Sequence, residues 1–149
     1  MRRDFAVSTP DLVSPTEAVR VRAPGRLHLG FLDPGATLGR RFGSLGLVID
    51  GFETVVDLRH SEADRVGAAD AACEAELARA RVHLEVLRSA TGHDSPLHLR
   101  IERVLPAHAG FCSCTQLGLA VGRAFAALFD LPLTTAEIAA LAVADWAVF

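Results

Sequence analysis

The sequence predicts an α+β domain. Apolar and polar residues alternate with period two through much of the first 60 residues. The period lengthens to that of a helix after residue 66, and strand-like and helical segments do not alternate one for one. A chain of 149 residues is one domain in length, with enough apolar content (50%) to bury a sizeable core.

Residues 1–17 are polar, carry Pro10 and Pro15, and are expected to be a flexible arm, leaving 18–149 as the folded domain. Val19, Val21 and Ala23 alternate with Arg20 and Arg22, the pattern of a half-buried strand. Pro24-Gly25 interrupts it. Leu27, Leu29 and Phe31 then resume the alternation, with Arg26, His28 and Gly30 on the opposite face. Residues 33–46 are Gly-rich, contain Arg40 and Arg41, and read as a loop. Residues 45–49 read as a strand and 53–58 as its partner. Asp50-Gly51 between them is the dipeptide of a tight hairpin turn.

From residue 66 to 91 the spacing of Val66, Cys73, Leu77, Ala80, Leu84 and Leu87 predicts one amphipathic helix, closed by Gly92. Glu74, Glu76, Arg79, Arg81, Glu85 and Arg88 cover its other faces. Leu97, Leu99 and Ile101 alternate with His98, Arg100 and Glu102 in a further strand. A loop over 106–114 leads to a second helix marked by Leu117, Val121, Phe125 and Leu128. Gly118 and Gly122 cost that helix about 1 kcal/mol each relative to Ala, which suits places of close packing. Thr134 and Glu137 form a capping box that opens a third helix, with Ile138, Leu141 and Ala142 apolar.

Composition narrows the function. The sequence has no Lys, so a Walker-type phosphate loop is excluded, and no Asn, so there is no N-glycosylation acceptor. A net charge of −3 argues against a nucleic-acid partner. No apolar run approaches the roughly 20 residues of a membrane helix, and no hydrophobic stretch follows Arg2-Arg3, so a cytoplasmic protein without a membrane partner is expected. Three cysteines without an export signal are expected to be thiols.

Two segments carry candidate chemistry. In the run from Leu105 to Gln116 a strand ends, a small-residue loop follows and a helix begins. Free N–H groups and the dipole at such a helix start bind anions, and Ser113 and Thr115 add hydroxyls. An ordinary strand-to-helix turn with a Ser or Thr cap has the same appearance. The second segment, Arg22 to Asp33, sets Arg22, Arg26, His28 and Asp33 on or beside one strand, where arginine suits phosphate or carboxylate recognition. A solvated strand face explains it equally well. His108, Cys112 and Cys114, with Cys73 as a fourth ligand, permit a zinc reading, but Cys-x-Cys is not the usual zinc spacing and Cys73 sits on an apolar stripe. A reactive thiol at a helix start is the other reading of Cys112 and Cys114.

Taken together, Ala23-Pro24-Gly25-Arg26 and the downstream Pro106-to-Thr115 loop resemble the GHMP small-molecule kinase superfamily. More narrowly, the runs Ala23 to Asp33 and Leu105 to Leu117 resemble the β-ribofuranosylaminobenzene 5′-phosphate synthase group, mainly through His28, His108, Phe111 and Thr115-Gln116-Leu117. The resemblance covers roughly residues 18 to 142. It implies a ribosomal protein S5 domain 2-like fold, with an antiparallel-containing sheet packed on helices.

It also implies decarboxylative transfer of phosphoribose from phosphoribosyl pyrophosphate to 4-aminobenzoate or 4-hydroxybenzoate in methanopterin cofactor synthesis, with Mg²⁺ at the leaving group. Gly110, Phe111, Cys112, Ser113, Cys114 and Thr115 would bind phosphate, and Arg26 and His28 would lie near the substrate. The alternatives are an ATP-dependent kinase of the same superfamily and a truncated, non-catalytic domain. A homo-oligomer is left open. Cys112 and Cys114 depart from the family's Gly-Phe-Gly-Ser-Gly loop. The second domain of the superfamily is expected to be missing here, leaving Trp146, Val148 and Phe149 on an uncovered apolar end.

Overall fold

The computed structural model describes residues 17–32, 43–106 and 113–143. Four strands, β1 (Ala18–Leu32), β2 (Gly43–His60), β3 (Arg65–Ala68) and β4 (Leu97–Arg103), form one sheet in the order β1-β2-β4-β3. The pairs β1–β2 and β2–β4 are antiparallel, and β3–β4 is parallel. Four helices, α1 (Ala71–Glu74), α2 (Leu77–Thr91), α3 (Ser113–Leu128) and α4 (Thr135–Val143), complete the α+β domain. One parallel pair needs one crossover, and α1 with α2 supplies it between β3 and β4.

The core lies between one face of the sheet and the helices. Alternation on the strands places Val56, Leu58, Leu97, Leu99 and Ile101 inward. Ala80, Leu84 and Leu87 of α2, and Leu117, Val121 and Phe125 of α3, close over them, with Cys73 of α1 in the same cluster. Burial pushes the Cys73 thiol above its ordinary pKa, which suits an inert core thiol rather than a metal ligand. Helix α4 docks at the two glycines of α3. A Cβ at Gly122 would collide with Ile138, and one at Gly118 would lie 3.0–3.2 Å from His83 and Ala142. The close packing expected at these glycines is present.

The helix ends follow their caps. Asp70 accepts from the Cys73 N–H at 2.9 Å and starts α1. Gly92, at φ 73°, closes α2. Thr134 and Glu137 form the capping box reciprocally: the Glu137 N–H donates to Thr134 Oγ1 at 3.2 Å, and the Thr134 N–H donates to Glu137 Oε2 at 2.7 Å.

Three expectations are corrected. Asp50-Gly51 is not a hairpin turn. β2 runs through it, and β1 pairs with β2 on both sides of it. The register passes from Pro24↔Glu53 to Arg26↔Val48, so residues 49–52 stand opposite Gly25 alone. Gly51 uses its positive φ of 84° inside this bulge. Second, Pro24-Gly25 is a register irregularity within one strand, and residues 43–46 belong to β2 rather than to a loop. Third, Val66 is not helical. It pairs with Leu99 in β3, and the helix beyond it is split into α1 and α2. A four-residue strand is too short to reveal its period, and Val66 happens to stand seven residues before Cys73.

Beyond the reach of β4, β1 and β2 continue as a two-stranded ribbon from Arg26↔Val48 to Leu32↔Gly43. Leu29, Phe31, Leu32, Leu45, Leu47, Val48 and Phe52 are 46–67% exposed on or beside it. The expected arm lies almost wholly outside the described residues, and Trp146, Val148 and Phe149 lie outside them as well. The apolar surface the structure does describe is on this ribbon.

Candidate functional site

The middle of β1 and the segment after β4 come together at a glycine. A Cβ at Gly25 would lie 3.1 Å from Leu105 Cδ2 and 3.1 Å from the Phe52 carbonyl oxygen. A side chain here would crowd Leu105 and the Phe52 carbonyl, so glycine suits this close pass of β1 by the segment after β4. Two motifs separated by about 80 positions in the sequence therefore meet at Gly25 and Leu105. Leu105 is buried, and Pro106 beyond it is exposed.

Ser113, Cys114, Thr115 and Gln116 form the first turn of α3 and are half-buried. No acidic residue stands in that turn. The helix dipole therefore leaves partial positive charge at this end that α3 itself does not answer. An arginine from another helix, ion-paired to Glu76, reaches this turn. Arg79 of α2 donates from Nη1 to Glu76 Oε2 at 3.0 Å and to Cys114 Sγ at 3.2 Å. Sequence reasoning assigned Arg79 to a solvated face. Its signal was the Glu76–Arg79 spacing of three, which shows an ion pair but not the helix it reaches.

Arg26 and His28 lie on the ribbon. The Arg26 side chain crosses β2 at Gly46, where any Cβ would collide with its guanidinium. The His28 ring packs against Phe31 at 4.6 Å between centroids. Gly110, Phe111 and Cys112, and His108 beside them, lie outside the described residues. Of the expected phosphate group, the structure places Ser113, Cys114 and Thr115 on α3. Thr54 is a residue sequence reasoning did not single out. It pairs with Ala23 in the sheet, its Oγ1 is buried, and that atom has no hydrogen-bond partner among the described residues. No three His, Cys, Asp or Glu side chains gather as a metal-binding group among the described residues.

The family model described as the GHMP kinases N terminal domain matches residues 67–144, which run from the end of β3 through α1, α2, β4 and α3 to α4. The chain belongs to the GHMP kinase family. Within this GHMP-family chain, both Leu105, which meets Gly25, and α3 fall inside the matched stretch.

Among proteins of known name, the chain is 30% identical over 122 residues to a beta-ribofuranosylphenol 5'-phosphate synthase of Archaeoglobus fulgidus. It is also 30% identical over 125 residues to the protein of that name in Methanothermobacter thermautotrophicus. These matches cover 81% and 80% of this chain but 37% of each relative. The chain thus spans just over a third of their length. Among solved structures, homoserine kinase of Cytophaga hutchinsonii superposes with a TM-score of 0.66 at 17% identity, over 87% of this chain and 41% of that one. Mevalonate kinase of Methanococcus jannaschii gives 0.64 at 14%, over 85% and 45%. At such identities the likeness shows the fold: the GHMP N-terminal architecture of a mixed sheet with helices.

Proposed function

We propose that this chain is the N-terminal part of a β-ribofuranosylaminobenzene 5′-phosphate synthase-like transferase. The reaction is decarboxylative transfer of phosphoribose from phosphoribosyl pyrophosphate to 4-aminobenzoate or 4-hydroxybenzoate, releasing carbon dioxide and pyrophosphate, in methanopterin cofactor synthesis. The observation that carries the reading is the meeting of the two motif segments at Gly25 and Leu105, with an α3 start further along the chain that holds no acidic residue in its first turn. The 30% identity to two beta-ribofuranosylphenol 5'-phosphate synthases supports the synthase branch over a kinase.

In this proposal the first-turn N–H groups of α3, with Ser113 and Thr115, hold phosphate oxygens, and Gly110, Phe111 and Cys112 just before them in sequence belong to the same phosphate-binding run. Arg79, paired with Glu76, reaches the same end through Cys114 Sγ. Arg26 and His28 bind substrate farther along β1, where guanidinium geometry suits a carboxylate or phosphate. Mg²⁺, if it accompanies the diphosphate, shields the leaving group. The described residues supply no cluster of donors for it, and no step is derived through it.

Thermal unfolding with ligand tests the reading. Phosphoribosyl pyrophosphate at a hundred times its Kd adds about 2.7 kcal/mol. For a domain of this size that raises Tm by several degrees. The synthase reading expects this rise with phosphoribosyl pyrophosphate, a smaller one with Mg-ATP, and a reduced one in Arg26→Ala. A larger rise with Mg-ATP overturns it in favour of a kinase. No rise with either ligand overturns it in favour of a domain that binds neither.

A further inference from the structure

Helices α1, α2 and α3 pack on one face of the sheet and α4 packs on α2 and α3, and among the described residues the other face is exposed and carries charge. Arg20, Arg22, Asp57, Arg59, His98, Arg100 and Arg103 lie on it, with Glu53 and Glu102 beside them. Its carboxylates are already engaged. Arg20 holds Asp57 with two hydrogen bonds of 2.6 and 2.5 Å. Arg100 donates to Glu102 at 2.6 Å. Glu53 accepts from Arg22 at 3.3 Å and from Arg103 at 3.1 Å.

One row across the sheet has no carboxylate in it. The register runs Ala18↔Arg59, Arg59↔His98 and Arg65↔His98, so Arg59, His98 and Arg65 stand side by side on three neighbouring strands. Basic groups placed directly opposite on a sheet repel one another. Arg59 nevertheless turns toward the ring: its Nε and Nη2 lie 3.2 and 2.9 Å from His98 Nδ1. An imidazole that accepts at Nδ1 carries its proton at Nε2. That nitrogen is turned toward Gly67, whose absent Cβ would lie 3.9 Å away, so no side chain of β3 covers it there. Burial and the charges of Arg59, Arg65 and Arg100 hold the imidazole pKa below its ordinary value. A cavity of about 500 Å³ opens beside the row, lined by Arg20, Arg59, His98 and Arg100, by Asp57, whose carboxylate is held by Arg20, and by Ala18, Val19 and Leu58 as an apolar wall.

We propose that the Arg59–His98–Arg65 row is a binding site for a phosphate oxyanion, separate from the α3 helix start on the other side of the sheet. Guanidinium forks and an imidazole N–H match tetrahedral oxyanion geometry, and an anion relieves the repulsion along the row. Phosphate is the shared chemistry of two sources, free inorganic phosphate and a small organic monoester. The apolar wall of Ala18 and Val19 gives a monoester an added contact.

The test is an NMR titration of His98 in the whole chain. It uses inorganic phosphate, phenyl phosphate, and sodium chloride at matched ionic strength. Bound phosphate favours the imidazolium, so the His98 pKa is expected to rise by about one unit. Arg59→Gln with Arg65→Gln is expected to lose at least about tenfold in phosphate affinity while the melting temperature holds, both side chains being exposed. Ser113→Ala with Thr115→Ala is expected to leave the His98 response intact. Tighter binding of phenyl phosphate assigns the monoester, and equal binding assigns free phosphate. A His98 shift no larger than that in sodium chloride, or an unchanged affinity in the double arginine variant, overturns the proposal. Loss of the response in the α3 double variant overturns the separateness of the two sites. None of these outcomes depends on whether phosphoribosyl pyrophosphate binds.

Discussion

Gly122 shows how much one hydrogen can decide. In isolation it weakens α3 by about 1 kcal/mol relative to Ala. In the fold it is the seat of Ile138, one of the fully buried side chains. Gly122→Ala should therefore destabilise rather than stabilise. The gain in helix propensity is outweighed by an overpacking cost of about 1–3 kcal/mol. Urea unfolding checks this, and a variant at least as stable as the parent would show that α4 is not seated there. Gly25 acts in the same way for the site, since its bare Cα admits Leu105. Both glycines stood out in the sequence, as breaks in a period. Their neighbours did not, because a missing side chain says that something approaches but not what.

At the scale of elements, the β1–β2 ribbon is the exception in this molecule. Two strands alone are marginal in water, and this pair extends past β4 with large apolar side chains in solvent. Contiguous apolar surface of this kind promotes association. Phe31→Ser with Leu47→Thr is expected to lower light scattering at high concentration and to leave Tm within about 2 °C, since neither side chain is in the core cluster. A large loss of Tm would show that the ribbon packs on something within the chain. The alternation of Leu27, Leu29 and Phe31 identified β1 correctly. Asp50-Gly51 misled because positive φ serves a bulge as well as a turn, and strand pairing chooses between them.

For the molecule as a whole, the ion pairs set a pH dependence. The hydrogen bonds from Arg20 hold the Asp57 carboxyl below its ordinary pKa. Those from Arg88, with the Leu97 N–H, do the same for Asp64. A carboxylate depressed in the folded state adds stability above its unfolded pKa, and this is lost as pH falls through the folded value. Stability is thus expected to be level between about pH 5 and 7 and to fall below about pH 4. Asp64→Asn should flatten that acid limb and lower the plateau. An acid limb unchanged in Asp64→Asn would place the titrating group elsewhere. Each pair has one exposed partner, Arg20 in the first and Asp64 in the second, so salt is expected to weaken the effect in part.

Local patterns in the sequence sufficed for the α+β class, the inward faces of β1 and β4, the cap at Gly92, the Thr134–Glu137 box, and the positions of both motifs. Each depends on residues within a few positions of one another, where period and hydrogen-bonding geometry act directly. The bulge opposite Gly25, the short strand at Val66, the reach of Arg79 to Cys114 and the Arg59–His98–Arg65 row depend on which distant segments become neighbours. Only burial of the shared core settles that, because the free energy selecting a register belongs to the whole sheet and helix layer and not to any one segment of the chain.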